Sequence, residues 1–68
     1  MKISARNCIE GKVVAIHDGP VSTEVTVATP AGERIVSSIT TTSAKALGFK
    51  GAKAYAMIKA SNVMLAVD

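Results

Sequence analysis

A single cysteine, Cys8, and a single histidine, His17, are all the cross-linking chemistry that this 68-residue chain possesses. It cannot close an internal disulfide, and it lacks the ligand count of an ordinary Cys/His zinc site. The fold must therefore rest on apolar burial. That is a severe constraint at this length, because so small a domain buries only about 60% of the surface its unfolded chain exposes. Residues 1–68 read as one domain, and the remedy left is association with further copies.

The apolar residues point the same way. They make up 49% of the chain, but alanine and valine dominate them, and Phe49 and Tyr55 are the only aromatics. Small side chains let backbones approach closely yet contribute little burial energy each, so further apolar area is expected to be covered by another subunit. No apolar run approaches the roughly 20 residues of a membrane span. The opening Met1–Cys8 lacks the apolar stretch of a secretory signal, and a free cysteine fits a reducing compartment. A cytoplasmic protein without a membrane partner is expected. The net charge of +3 favours anionic partners.

Patterning predicts strands joined by tight turns. Ile9 to Ile16 reads as the first strand, and Asp18-Gly19-Pro20 is turn chemistry, with glycine supplying unusual φ and proline fixing it. Val21 to Val27 alternates with period two, placing Val21, Thr23, Val25 and Val27 on one face. Pro30-Ala31-Gly32 makes a second turn and Glu33 to Ile39 a third strand. Thr40 or Thr41 can then cap a helix of about two turns over Ala44-Lys45-Ala46-Leu47, which Gly48 stops. Ala52 to Ile58 reads as a fourth strand, Lys59-Ala60-Ser61-Asn62 as a turn, and Val63 to Val67 as a short fifth strand. This predicts an all-β, OB-like five-stranded barrel with one short helix between strands 3 and 4. Such a barrel says little about function on its own.

Polar groups gather in three places: Ser4-Ala5-Arg6-Asn7, Thr40 to Ser43, and Lys59-Ala60-Ser61-Asn62. Arg6 and Lys59 bring fixed positive charge, and Ser4, Thr40, Ser43 and Ser61 bring hydroxyl donors. The first residues of a helix add unpaired N–H groups. Together they suit a small tetrahedral dianion bound without direct metal coordination. Residues of these types are more often solvated surface charges, helix caps and an ordinary turn. The clusters alone leave that choice open.

A resemblance narrows it. Met1-Lys2-Ile3-Ser4-Ala5-Arg6-Asn7 followed by Gly11-Lys12-Val13 resembles the opening of the molbindin, or Mop, domain family. The likeness continues through Ser37-Ser38-Ile39-Thr40, Ser43, Leu47-Gly48 and Gly51-Ala52, and ends with Ile58-Lys59-Ala60-Ser61-Asn62-Val63-Met64. It covers essentially the whole chain. Neither the SARN opening nor the lysine-bearing turn is specific alone; their combination in so short a chain is. The family comprises free-standing molybdate and tungstate storage proteins and related domains of regulators and transporter ATPases, and this chain is similar to the free-standing kind. The departures, Cys8-Ile9 and the Asp18-Gly19-Pro20 turn, remove none of the family's ligand-binding positions.

The resemblance implies a hexamer, a trimer of dimers, that holds the oxyanion between subunits. It implies a site of Ser4, Ala5 and Arg6 with Lys59, Ala60 and Ser61, joined by Thr40 and Ser43 from a neighbouring subunit. Asn7 is expected to order the opening motif. A second kind of site near the threefold axis is assigned to Val21, Ser22 and Thr23. The ligand the resemblance implies is molybdate or tungstate, with no organic cofactor and no side chain on the metal itself. An anion with four oxo groups has no vacant position for a thiolate, so Cys8 is read as a small buried hydrophobe and His17 as a solvent-facing turn residue. No nucleophile–base pair, carboxylate pair or metal cluster at useful spacing suggests an enzyme. Two other functions compete with storage. An OB-type nucleic-acid binder would want aromatic stacking platforms on a basic face, and two aromatics serve that poorly. A purely structural oligomerisation module would use the serines and threonines only as caps and turns.

Overall fold

One long strand shapes the molecule. In the computed structural model, which describes residues 2–48 and 53–68, β1 spans Asn7–Asp18. It is followed by β2 (Ser22–Ala28), β3 (Arg34–Thr40), helix α1 (Thr41–Leu47) and β4 (Lys53–Ile58). The four strands form one antiparallel sheet in the order β3-β2-β1-β4. β1 divides its pairing: Asn7 to Lys12 bond to β4, and Lys12 to Asp18 bond to β2. Those pairs at both ends make it longer than the Ile9–Ile16 expected from patterning. A register shift between Val13 and Ala15 marks a bulge at Val14, the device that bends a strand and steepens its twist.

The sheet therefore curls around its inner face. Val13, Val25, Val27 and Ala54 form the buried cluster there, with Ile39 packed against it. Gly11 is required at the bend. A Cβ on it would meet Val27 Cγ1 at 2.5 Å and the Ala28 carbonyl oxygen at 2.6 Å, so only glycine lets β1 approach β2 so closely.

The helix ends as the sequence predicts. Thr40 is extended (φ −66°, ψ 145°) and caps the Ser43 N–H, while Gly48 closes the C-terminus at φ +62°, the left-handed geometry that glycine adopts without steric cost. α1 buries only Ala44. The fourth strand was expected from Ala52, which lies outside the described residues; the strand described begins at Lys53.

The fifth strand is a correction. Ala60–Asn62 form a single 3₁₀ turn, and Val63 to Val67 pair with no edge of the sheet. Met64, Leu65 and Val67 are each more than 90% exposed. The barrel is thus half closed. An apolar groove of about 370 Å³ lies open where β3 and β4, the two free edges, face each other, lined among others by Val27, Ile35, Ile39, Ala54 and Ile58. A strand exists only where an edge supplies hydrogen-bond partners, and this chain brings none to its own tail.

Candidate oxyanion site

Two of the three polar segments meet at one end of β1. Ser4, Ala5 and Arg6 lead into it, and its first residue, Asn7, pairs with Ile58, the last residue of β4. The Asn7 side chain donates through Nδ2 to the Ile58 carbonyl oxygen at 3.1 Å. It therefore clasps the opening motif to the chain just before Lys59, the ordering role that the sequence suggests for it. Lys59 then enters the 3₁₀ turn, where the Asn62 N–H donates to the Lys59 carbonyl oxygen at 2.8 Å. Ser4, Arg6, Lys59, Ala60 and Ser61 are all exposed, and Ala5 is half-buried.

Neither Arg6 nor Lys59 forms an ion pair among the described residues. Among the described residues the ion pair formed is Lys53 Nζ to Glu10 Oε1, at 3.3 Å on the outer face of the sheet. Glu10, which accepts a hydrogen bond from it, holds the Lys53 ammonium above the usual lysine range, and Tyr55 adds to this. That pair is well exposed and stands outside the polar segments. Arg6 and Lys59 have no carboxylate within ion-pair reach among the described residues.

The third segment lies at the other end of β1. Asp18 pairs with Thr23, and Ser22 with Thr40, so the end of β3 and the start of α1 sit beside the β1–β2 hairpin. The Thr40 hydroxyl accepts from the Ser43 N–H at 3.1 Å and donates to Ser43 Oγ at 2.8 Å. One donor, the Ser43 hydroxyl proton, remains available to a ligand, and Thr40 can turn its own proton outward if that bond is given up. The helix contributes little as a dipole, since it has seven residues and its Ser43 N–H is already capped. Side-chain hydroxyls are what this end offers. Among the described residues, no hydrogen bond joins the Thr40–Ser43 end to the Arg6–Lys59 end.

The segment Val21, Ser22 and Thr23 divides. Val21 and Ser22 are exposed, but Thr23 has no exposed surface, and its hydroxyl bonds inside the chain to Asp18 and Thr41. Its side chain is buried within the chain. Alternation along β2 carried the signal, since it places Thr23 on the face of Val25 and Val27. Cys8 is also a correction: it is exposed rather than buried. It pairs with Met57 on the outer face of the sheet, which no second layer covers. His17 is exposed as expected, but it lies in β1, paired with Glu24 of β2, rather than in the turn. Among the described residues there is no cluster of three or more His, Cys, Asp and Glu side chains fit to hold a metal ion. The set of donors at both ends suits hydrogen bonding to the oxygens of an anion.

The half-closed OB-like barrel defines the fold class, and known proteins narrow it. The model of the TOBE domain matches residues 3–65. A probable molybdenum-pterin-binding protein of Haemophilus influenzae is 42% identical, over the full length of both chains. Molybdenum-pterin-binding protein 1 of Clostridium pasteurianum is 42% identical, over 96% of this chain and 97% of its own. The chain belongs to the TOBE domain family and, within it, to the molbindin or Mop group. It also spans 25% of the length of the molybdenum transport protein ModE of Azotobacter vinelandii, at 47% identity.

Solved structures agree on the fold. MopII from Clostridium pasteurianum superposes with a TM-score of 0.91 at 40% identity, covering 97% of this chain and 100% of that one. The cytoplasmic molybdate-binding protein ModG, in a form with molybdate bound, superposes at 0.95 and 46% identity, covering all of this chain and 49% of that one.

Proposed function

We propose that this chain binds molybdate or tungstate as the intact oxyanion, at sites shared between copies of itself, and stores it in the cytoplasm. The observation that carries the reading is the division of donors between the two ends of β1. Arg6 and Lys59 supply charge at one end, Thr40 and Ser43 supply hydroxyls at the other, and the twelve residues of β1 lie between. Neither set surrounds a tetrahedral anion by itself. A second copy that brings its Thr40 end to the first copy's Arg6 end completes the shell.

The open barrel supports association as well. The exposed Val63–Val67 tail has the apolar character and length to lie as a strand between the free edges of β3 and β4 in another copy. There it would bury its side chains in the groove and gain ladder bonds on both sides. The family's hexamer, a trimer of dimers, is the proposed assembly, and a second type of site would lie beside the exposed Val21 and Ser22.

In the site, Arg6 and Lys59 donate charge-assisted hydrogen bonds to oxo groups, and Ser4, Ser43 and Thr40 add neutral ones. The backbone of Ala5, Ala60 and Ser61 shapes the rim. Every one of these side chains offers a proton. Phosphate at neutral pH carries protons of its own, which donor-only groups such as Arg and Lys cannot accept, and it is smaller. Molybdate and tungstate, bare of protons and nearly equal in size, satisfy all donors together. Nothing in this chemistry requires a bond to form or break, so the protein acts as a binder rather than an enzyme. Relatives named for a molybdenum-pterin suggest a larger ligand, but the donors assembled here address oxygens, not a flat ring.

Native mass spectrometry, with and without sodium molybdate, tests the reading. The expected species is six times the 7.0 kDa chain, gaining discrete molybdate masses that excess phosphate or an oligonucleotide does not displace. A monomer that takes up neither molybdate nor tungstate would overturn it.

A further inference from the structure

Beneath the Thr40–Ser43 turn lies a group of hydroxyls that faces no ligand. Thr23 has 0% exposure, the only polar side chain buried among the described residues. Its Oγ1 lies 2.9 Å from Thr41 Oγ1 and 3.3 Å from Asp18 Oδ1. The Thr41 hydroxyl donates to the Gly19 carbonyl oxygen at 2.6 Å, and the Thr41 N–H donates to the Val21 carbonyl oxygen at 2.9 Å. Each hydroxyl has one proton. With that of Thr41 spent on Gly19, the proton of Thr23 serves Thr41 Oγ1 and Asp18 Oδ1 together.

A threonine here has a physical cost. Val25 and Val27 continue the same face of β2, and valine at 23 would fill the same volume without desolvating a hydroxyl. What the hydroxyl secures is the start of α1. That helix is seven residues long and buries Ala44 alone, too little packing to hold its own position. Thr41 is its first residue, and its hydroxyl and N–H are both tied to the Asp18–Val21 hairpin. The residue before it is Thr40.

We propose that Thr23 and Thr41 are positioning residues of the oxyanion site. They fix the Thr40–Ser43 turn against the β1–β2 hairpin, so that the two hydroxyls it presents to a neighbouring subunit are held in place before the anion arrives. This rests on the reading of Thr40 and Ser43 as anion donors. Donors fixed in advance lose less freedom on binding, and affinity rises accordingly.

The test uses the assembled protein with Thr23→Val, Thr41→Val and Thr41→Ser, each alone, and Thr41→Val combined with Thr40→Ala. Calorimetric titration with sodium molybdate is read beside hydrogen exchange at the Ser43 amide. Thr41→Val and Thr23→Val should each weaken molybdate binding about three- to tenfold, the worth of one neutral hydrogen bond, and speed exchange at Ser43. Thr41→Ser, which keeps the hydroxyl, should restore both. Because Thr41 acts through the Thr40–Ser43 turn, adding Thr41→Val to Thr40→Ala should cost less affinity than Thr41→Val costs the wild type. Wild-type affinity and exchange in both valine variants would overturn the proposal, as would full additivity in the double variant. Should the wild type itself take up no molybdate, the donor reading fails, and exchange then decides the positioning role. Unchanged Ser43 protection in Thr41→Val sinks it, and faster exchange upholds it.

Discussion

Arg6 and Lys59 carry their charge without a partner among the described residues, and that makes them the most informative positions. A charge-assisted hydrogen bond to an oxyanion contributes about 10- to 150-fold in affinity. Arg6→Ala and Lys59→Ala are each expected to weaken molybdate binding within that range while leaving the sheet intact, since both side chains project into solvent. Ser43→Ala removes a neutral donor and should cost about fivefold. Titration calorimetry on folded variants reads both, and wild-type affinity in the two charge-removal variants would dismiss the site. Thr40→Ala is less clean. Its hydroxyl also caps α1, so its loss costs about 1 kcal/mol of stability as well.

At the scale of elements, the tail after the 3₁₀ turn sets the outcome. Val63 to Val67 leave a strand's worth of apolar side chains in water, and the groove between β3 and β4 leaves valine and isoleucine side chains uncovered. In the proposed assembly each covers the other between copies, because within one chain the tail pairs with no edge. Removing residues 63–68 is therefore expected to dissociate the assembly and to abolish molybdate uptake together. Sedimentation of the truncated chain at micromolar concentration checks this, and a truncated protein that still sediments like the full chain would sever the tail from assembly. The bulge at Val14 and the close approach at Gly11 serve the same end, since an unbent β1 would leave no groove.

For the whole molecule, a site divided between copies as proposed would show in mixed oligomers what no single variant shows. In oligomers assembled from an Arg6→Ala chain and a Thr40→Ala chain, some sites combine the intact Arg6 of one chain with the intact Thr40 of the other. Others carry both changes. Molybdate titration of the mixture should show a fraction of sites with wild-type affinity, absent from either variant alone. A mixture that titrates as the simple average of the two variants would mean that Arg6 and Thr40 serve one anion from the same chain, or serve none.

Local rules were enough for the strands and the helix. Period-two alternation at Thr23, Val25 and Val27, turn residues at Asp18-Gly19-Pro20, and the Thr40 cap with the Gly48 stop are effects within a few residues, and they are legible in order. The three polar segments were legible too, as was membership of the Mop group from Ser4-Ala5-Arg6-Asn7 and Lys59-Ala60-Ser61-Asn62. Three things were not. A short apolar run marks Val63 to Val67 as strand-like, but a strand also needs an edge, and whether one is near depends on how the whole sheet curls. Residue type makes Cys8 a buried hydrophobe, but its exposure follows from which face of β1 lacks a covering layer. Alternation places Thr23 on the face of Val25 and Val27, but which groups its hydroxyl meets there, Asp18 and Thr41, follows from how the sheet curls. Sequence determines what each segment prefers locally; only the tertiary structure decides which surfaces are left over, because burial is set by contacts between residues far apart in the chain.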